Sequence, residues 1–152
     1  MRNFNFPKIV FASSLAVVVA VTAACSGKIN TDAKDPKWDR DVCEACKMLV
    51  SDKHFTAQMV DSSTGKRYYF DDLGCLFNWL AKQKPEVASR AVIYATDAKS
   101  GKWVDVNKGV VAETFVTPMS FGFGVFASEK DVPADKKILT VDEVKARLAS
   151  KK

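Results

Sequence analysis

The stretch from residue 56 to residue 80, TAQMVDSSTGKRYYFDDLGCLFNWL, decides the fold because two strand patterns and one helical pattern follow one another within it. Residues 56–60 and 66–70 have the composition of strands, and a cluster of turn-forming residues at 62–65 separates them. The first part of the stretch therefore predicts a β-hairpin.

A helix follows the hairpin, and the same order of elements recurs later in the chain. Apolar residues recur at helical spacing over 71–83, which opens on two aspartates suited to an N-cap and ends before Pro85. Strand patterns at 90–96 and 110–126 precede a second helical pattern at 140–149. These elements predict a small single domain of the α+β class, made of two ββαβ-like halves.

Residues 1–24 have the pattern of a bacterial lipoprotein signal peptide. Arg2 and Lys8 give a positive start, and the uncharged run after them is shorter than the roughly 20 residues of a membrane span. Small residues directly before Cys25 resemble the lipoprotein cleavage box, so Cys25 is predicted to become the lipidated N-terminus. The alternative is an ordinary signal cleaved near Ala24, which would leave a soluble periplasmic protein.

The predicted lipid places the protein in the bacterial cell envelope. We expect attachment to a membrane through Cys25, with the domain facing the periplasm, and the residue after this cysteine favours the outer membrane. Residues 25–41 are mostly polar and are predicted to form a tether between lipid and domain. The domain itself is placed at 42–152.

The composition excludes several classes of function. The chain has 152 residues but a single histidine, which rules out metal enzymes with several histidine ligands. The formal net charge is +5, yet the basic residues are spread along the chain, so no nucleic-acid partner is predicted. The common nucleotide-binding and hydrolase motifs are absent from the sequence. A binding protein is therefore favoured over an enzyme.

Residues 43–48, CEACKM, place two thiols and a thioether within six residues. Thiolate and thioether sulfur atoms are soft donors, which select Cu(I). The Cys43/Cys46 pair could instead form a stabilising disulfide, or serve a periplasmic thiol–disulfide oxidoreductase. A zinc site would need four ligands, which are available as Cys43, Cys46, Cys75 and His54.

Three residues outside this segment are further candidates for the site. Met119 lies in a break between aromatic strands, although an isolated methionine is more often a core side chain. His54 is a possible Cu(I) donor or an exposed polar residue. Cys75 falls within the first predicted helix, and we interpret it as a buried, inert thiol.

Four short motifs, taken in order, resemble the nitrous oxide reductase accessory lipoprotein family, NosL. The motifs are Cys46-Lys47-Met48, Ala57-Gln58-Met59, the sequence YFDDLGC at 69–75, and Met119 followed by Val125-Phe126-Ala127. The resemblance implies a lipoprotein that binds one Cu(I) and delivers it to nitrous oxide reductase, or to another copper enzyme, during assembly of its copper centres.

The resemblance also implies a set of copper ligands. Cys46 and Met119 match the family's cysteine and later methionine, and are expected to be the principal ligands. Met48 or His54 would supply a third donor. Cys43 departs from the simpler members of the family, and could be a ligand, a redox partner of Cys46 or a spectator.

Overall fold

The computed structural model describes residues 27–150. The signal peptide and the lipidated Cys25 predicted from the sequence lie outside these residues. The described chain forms two antiparallel sheets with three α-helices, which confirms the predicted α+β class. None of the helices within this range is long and apolar enough to cross a membrane.

The first sheet has four strands in the order β2-β1-β3-β4, and every neighbouring pair is antiparallel. Its elements are β1 (Ala57–Asp61), β2 (Arg67–Phe70), α1 (Leu73–Leu80), α2 (Pro85–Ser89), β3 (Ala91–Thr96) and β4 (Trp103–Asp105). The predicted hairpin and helix are confirmed within a few residues at each boundary. The short helix α2 was not predicted, because five residues are too few to establish a helical period.

The second sheet has three strands in the order β6-β5-β7. Its elements are β5 (Val110–Glu113), β6 (Phe123–Phe126), β7 (Ile138–Leu139) and α3 (Val141–Ser150), with a 3-10 helix at Glu129–Asp131. In both sheets the first strand of the hairpin is central. The two halves differ in the order of their elements, since the third strand follows the helix in the first half and precedes it in the second. The first half also has an additional strand, β4, and an additional helix, α2.

The core lies between the first sheet and the helices, where the largest fully buried side chains include Met59, Phe70, Leu73 and Leu76. Only two residues lie between the end of β2 and the start of α1, and the helix therefore packs directly on the hairpin that precedes it. This short connection fixes the start of α1 beside the end of β2, which is where the candidate site is found.

The outer face of the first sheet is covered by residues 30–38, which we call the strap. All five residues of β1 are buried, including the polar Gln58. The side chain of Gln58 accepts a hydrogen bond from the backbone N–H of Lys34 at 3.2 Å and donates one to its carbonyl at 3.0 Å. A buried amide is thus satisfied by the backbone of the strap, as burial of a polar group requires.

Further hydrogen bonds hold the strap along its length. Nη2 of Arg67 donates to the carbonyl oxygens of Asn30 at 3.2 Å and Asp32 at 2.8 Å, and Nε1 of Trp103 donates to the Asp35 carboxylate at 2.7 Å. The placement of a free tether up to residue 41 is therefore corrected, because the packed domain already includes residues 30–38. The composition of this segment is polar since its partners are polar atoms of the sheet.

Candidate metal centre

A tight loop at residues 42–49, which we call the cysteine loop, carries two of the three cysteines that lie within residues 27–150. Val42 and Leu49 form an isolated antiparallel bridge, and the N–H of Cys43 donates to the carbonyl of Met48 at 2.8 Å. Lys47 has a φ of 64°, a left-handed conformation that lets the chain reverse within the loop. The loop is therefore closed by its own backbone.

The cysteine loop is attached to the edge of the first sheet. The N–H of Glu44 donates to the carbonyl of Tyr69 in β2 at 2.9 Å, and Val50, directly after the loop, is fully buried. These contacts hold the loop at the end of β2 where α1 begins.

The third cysteine comes from the first turn of α1. The carboxylate of Asp72 caps this helix by accepting the N–H of Gly74 at 2.8 Å, which places Cys75 at the third helical position. The sulfur atoms of Cys43, Cys46 and Cys75 all lie within 4.8 Å of one another. The sequence predicts that Cys75 is a buried, inert thiol. Its burial is confirmed, but its sulfur atom belongs to the thiol cluster.

The cluster is closed to solvent on one side and open on the other. Cys43 and Cys75 are buried, whereas Cys46 is partly exposed. Within residues 27–150, Cys43, Cys46 and Cys75 form no disulfide. A metal ion or a reagent would therefore reach the sulfur atoms past Cys46.

Hydrogen bonds within the cluster favour a thiolate at Cys43. The Cys75 thiol donates a hydrogen bond to the sulfur atom of Cys43. This bond and the backbone N–H groups of Cys46 and Asp71 lower the pKa of Cys43 to about 5, although burial opposes the shift. The Cys46 N–H lies 3.4 Å from this sulfur. A thiolate is the form of cysteine that binds metals, so one donor is already deprotonated at neutral pH.

The pKa values of the neighbouring acidic groups are raised. Burial raises the pKa of Cys46, and the hydrogen bond to Cys43 together with burial raises the pKa of Cys75. Burial, followed by the charge on Cys43, raises the pKa of Asp71 to about 6. The apo cluster thus concentrates a single negative charge on the most buried sulfur.

The other sequence-predicted donors, Met48, His54 and Met119, are each at least partly exposed. Met48 is 53% exposed on the cysteine loop. His54 is exposed, and its Nδ1 lies 3.2 Å from the carbonyl oxygen of Ala98. Met119 is half-buried and packs against the core from the loop at residues 114–122, which we call the Met119 loop.

A buried carboxylate links the Met119 loop to the helix that carries Cys75. Asp72, the N-cap of α1, also accepts the hydroxyl of Thr117 and the N–H of Met119, the latter at 3.4 Å. The ring of Phe121 lies so close to Gly74 that a Cβ on this glycine would meet it at 2.2 Å. Through its backbone N–H, Met119 is therefore attached to the same helix start that carries Cys75.

The donor set suits a soft metal ion. A zinc ion bound by thiolates has metal–sulfur distances of about 2.3 Å, so two sulfur ligands of one ion lie at most about 4.6 Å apart. The separations in the cluster approach this limit. Three thiol donors match the preference of Cu(I) for soft ligands, whereas structural zinc takes four protein ligands in a closed tetrahedral site.

Comparisons with known proteins agree with this arrangement. A family model described as NosL matches residues 37–141. A crystal structure of the copper chaperone NosL from Shewanella denitrificans superimposes with a TM-score of 0.63 at 18% sequence identity, covering 75% of this chain and 96% of that chain. At this identity the likeness concerns the fold. No curated protein matches the sequence at a significant level.

Proposed function

The chain belongs to the NosL family, and on this premise we propose that it binds one Cu(I) ion through Cys43, Cys46 and Cys75 and delivers it to a copper enzyme. The observation that carries the proposal is the gathering of three sulfur atoms within 4.8 Å, at a place where one of them is partly exposed. Soft thiolates retain Cu(I), and the exposed edge gives a recipient access to it.

The arrangement suits a carrier better than a permanent metal site. A delivery protein must hold its ion against competing thiols and still release it to the recipient. Three sulfur ligands leave a coordination position free, so that a ligand of the recipient can bind before the last donor leaves. Met119, on its separate loop, is proposed as an additional donor that approaches the ion during this exchange.

Nitrous oxide reductase is the recipient that we propose. The family resemblance supports this choice, and the delivery would occur while the copper centres of that enzyme are assembled. The role is that of a binding protein and not of an enzyme, since no substrate has to be transformed. Transfer can be tested by mixing Cu(I)-loaded protein with copper-free reductase and measuring the copper that the reductase gains, with Cu(I)-chelator complex as the comparison.

We further propose that Cys25 carries a lipid that anchors the protein to a membrane facing the periplasm. The small residues before Cys25 and the uncharged run upstream of it support this anchor. Stable attachment needs more than one acyl chain, which the full lipid modification would supply. Replacing Cys25 with serine is expected to move the protein out of the membrane fraction.

Competition with a colorimetric Cu(I) chelator under reducing, oxygen-free conditions tests copper binding. We expect one equivalent of Cu(I) in the wild type, and a loss of affinity in each of Cys43→Ser, Cys46→Ser and Cys75→Ser beyond the roughly 10–100-fold typical of changes around a site. His54→Ala is the matched control and should bind as the wild type does.

Two other outcomes would replace the proposal with an alternative. Tight binding of zinc in preference to Cu(I) would assign the cluster to a structural zinc site. Catalytic disulfide exchange by the metal-free protein would instead favour the oxidoreductase that the Cys43/Cys46 pair also allows; the lowered pKa of Cys43 is the observation that keeps this candidate in view.

A further inference from the structure

The two ends of the first sheet differ in what they carry. The cysteine loop and the start of α1 lie where β2 ends at Phe70, whereas the hairpin turn at 62–65 lies at the opposite end. The five residues of β1 separate these ends by about 15 Å. The helix α1 runs back along this length, so residues 82–90 lie near the hairpin turn, where the N–H of Ser62 donates to the Arg90 carbonyl at 3.0 Å.

The strap begins at the turn end of the sheet. Cγ2 of Ile29 lies 3.2 Å from the position that a Cβ on Gly65 would occupy, and Arg67 holds the carbonyl of Asn30. At the other end of the strap, the N–H of Asp39 donates to the carbonyl of Val50, directly after the cysteine loop. The strap therefore runs the length of the sheet and directs its upstream end away from the cysteines.

The covalent chain limits how far the anchor can lie from this end. Cys25 precedes Ile29 by four residues, which span at most about 14 Å when fully extended. A lipid on Cys25 would therefore enter the membrane close to the hairpin turn.

The turn end also carries a positive surface, which we call the basic end. It consists of the exposed lysines Lys28, Lys66, Lys82 and Lys84. Within residues 27–150 none of these four forms an ion pair, whereas the nearby Asp61 is already paired with Arg90 at 3.3 Å. On the cysteine loop, by contrast, the exposed Lys47 is paired with Glu44 at 3.3 Å.

The acidic groups near the metal centre complete this contrast. Glu44 lies on the cysteine loop, and Asp71 and Asp72 are buried beside the thiols. An anionic surface would therefore attract the basic end more strongly than the end that carries the cysteines.

We propose that the basic end docks on the anionic headgroups of the membrane that holds the lipid anchor, so that the metal centre points away from the bilayer towards its recipient. This inference rests on the lipid anchor at Cys25 proposed above. Each lysine near an anionic membrane surface favours the docked state by roughly fivefold, and screening by salt weakens the attraction beyond about 10 Å.

Photo-crosslinking of the full lipidated protein in vesicles tests the orientation. A photoreactive benzoylphenylalanine is placed either at exposed Thr64, in the hairpin turn, or at exposed Ala45, on the cysteine loop. In vesicles of phosphatidylcholine and phosphatidylglycerol, the Thr64 position is expected to crosslink to phospholipid and the Ala45 position is not. Vesicles of phosphatidylcholine alone, or high salt, should reduce the Thr64 signal.

Charge variants identify the surface that is responsible. Replacing Lys66, Lys82 and Lys84 with glutamine should lower the ratio of docked to undocked protein by roughly fivefold per lysine and reduce the Thr64 crosslinks accordingly. The matched control replaces the exposed lysines Lys102, Lys130 and Lys137 with glutamine, removes the same charge, and should leave the crosslinks unchanged.

The outcomes separate this inference from the proposal on which it rests. Equal crosslinking at the two positions, or equal effects of the two triple variants, would overturn the docked orientation while leaving the anchor intact. Wild-type protein that fails to float with the vesicles would contradict the anchor itself, and the docking with it. Cu(I) stoichiometry, measured on the same preparation, reports on copper binding independently of both.

Discussion

The thiol cluster and the Met119 loop are held in the domain in different ways. The cysteine loop is closed by its own bridge and bonded to β2, and Cys75 lies in the first turn of a capped helix. The Met119 loop instead protrudes, with Val116 94% exposed. Within residues 27–150, the hydrogen bonds from this loop to the first half of the domain are all accepted by one buried carboxylate, that of Asp72.

Left-handed backbone occurs in both regions, at Lys47 in the cysteine loop and at Thr114 and Ser120 in the Met119 loop. Thr114 and Ser120 have φ values of 74° and 56°, a left-handed conformation that is costly for a β-branched residue such as threonine. Segments of this kind open locally at lower free energy than packed elements. The contrast separates a base of thiols, fixed by backbone contacts, from a loop that is joined to the first half through Asp72.

Removing the carboxylate that joins the two regions should have the largest effect on stability. Asp72→Ala deletes the N-cap of α1 and leaves the buried Thr117 hydroxyl without its partner, so the free energy of unfolding should fall by roughly 2–4 kcal/mol. Chemical denaturation measures this change. The matched control is Thr140→Ala, which removes the cap of α3 without a loop attached and should cost about 1 kcal/mol. Equal costs for the two variants would mean that Asp72 acts only as a helix cap.

Filling the space between the regions should have the next largest effect. In Gly74→Ala the new methyl group would overlap the ring of Phe121, and overpacking of this kind costs about 1–3 kcal/mol, more than the helix propensity of alanine returns. Gly27→Ala, where nothing lies within 4 Å, serves as the control. Hydrogen exchange should show faster opening of residues 114–122 in the Gly74 variant; unchanged exchange would mean that Phe121 adapts without moving the loop.

A substitution in the thiol cluster that leaves the Met119 loop unchanged should alter the titration of Cys43. Cys75→Ala removes the hydrogen bond that stabilises the Cys43 thiolate, so the pKa of Cys43 should rise from about 5 towards the ordinary thiol value. The fraction of thiolate at neutral pH then falls, and ultraviolet thiolate absorbance or the pH profile of alkylation reports it. Cys75→Ser keeps a donor and should shift the profile less. An unchanged profile in both variants would remove Cys75 from the account of the charge on Cys43.

The smallest change in the free energy of unfolding and in Cu(I) affinity is expected for a substitution in the Met119 loop. Met119→Leu nearly conserves volume and should change the free energy of unfolding by less than about 1.5 kcal/mol. Its Cu(I) affinity should fall less than that of any of the three cysteine variants, because the thiols form the base of the site. The competition titration checks this order, and an affinity loss as large as that of Cys46→Ser would make Met119 an equal ligand.

Much of the fold could be predicted because it depends on local patterns. Residues close together in sequence predict the hairpin around 62–65, the cap at Asp72 and the helix after it. Cys75 could not be assigned to the site in this way, because its nearness to Cys43 depends on the attachment of Glu44 to Tyr69, a contact between segments distant in sequence. The cap itself was the available signal, since it places Cys75 in the first turn of α1 at the end of β2.

The strap was missed for a related reason. Residues 30–38 are polar, and polar composition is typical of a linker; here their backbone satisfies Gln58 and Arg67 on the sheet. For His54 the chemistry of the residue predicted a metal donor, whereas the structure places its Nδ1 beside the carbonyl oxygen of Ala98. Residue chemistry therefore identified the class of site, while tertiary contacts decide which residues form it.

X-ray absorption spectroscopy of the Cu(I)-loaded protein tests the central claim most directly, since it counts the sulfur atoms bound to copper. We predict three sulfur ligands in the wild type and in Met119→Leu, and two in Cys75→Ser. If Cys75→Ser keeps the wild-type sulfur count while Met119→Leu loses one, the claim that the three thiols form the site is contradicted, and the ion is held by Cys46 and Met119 instead.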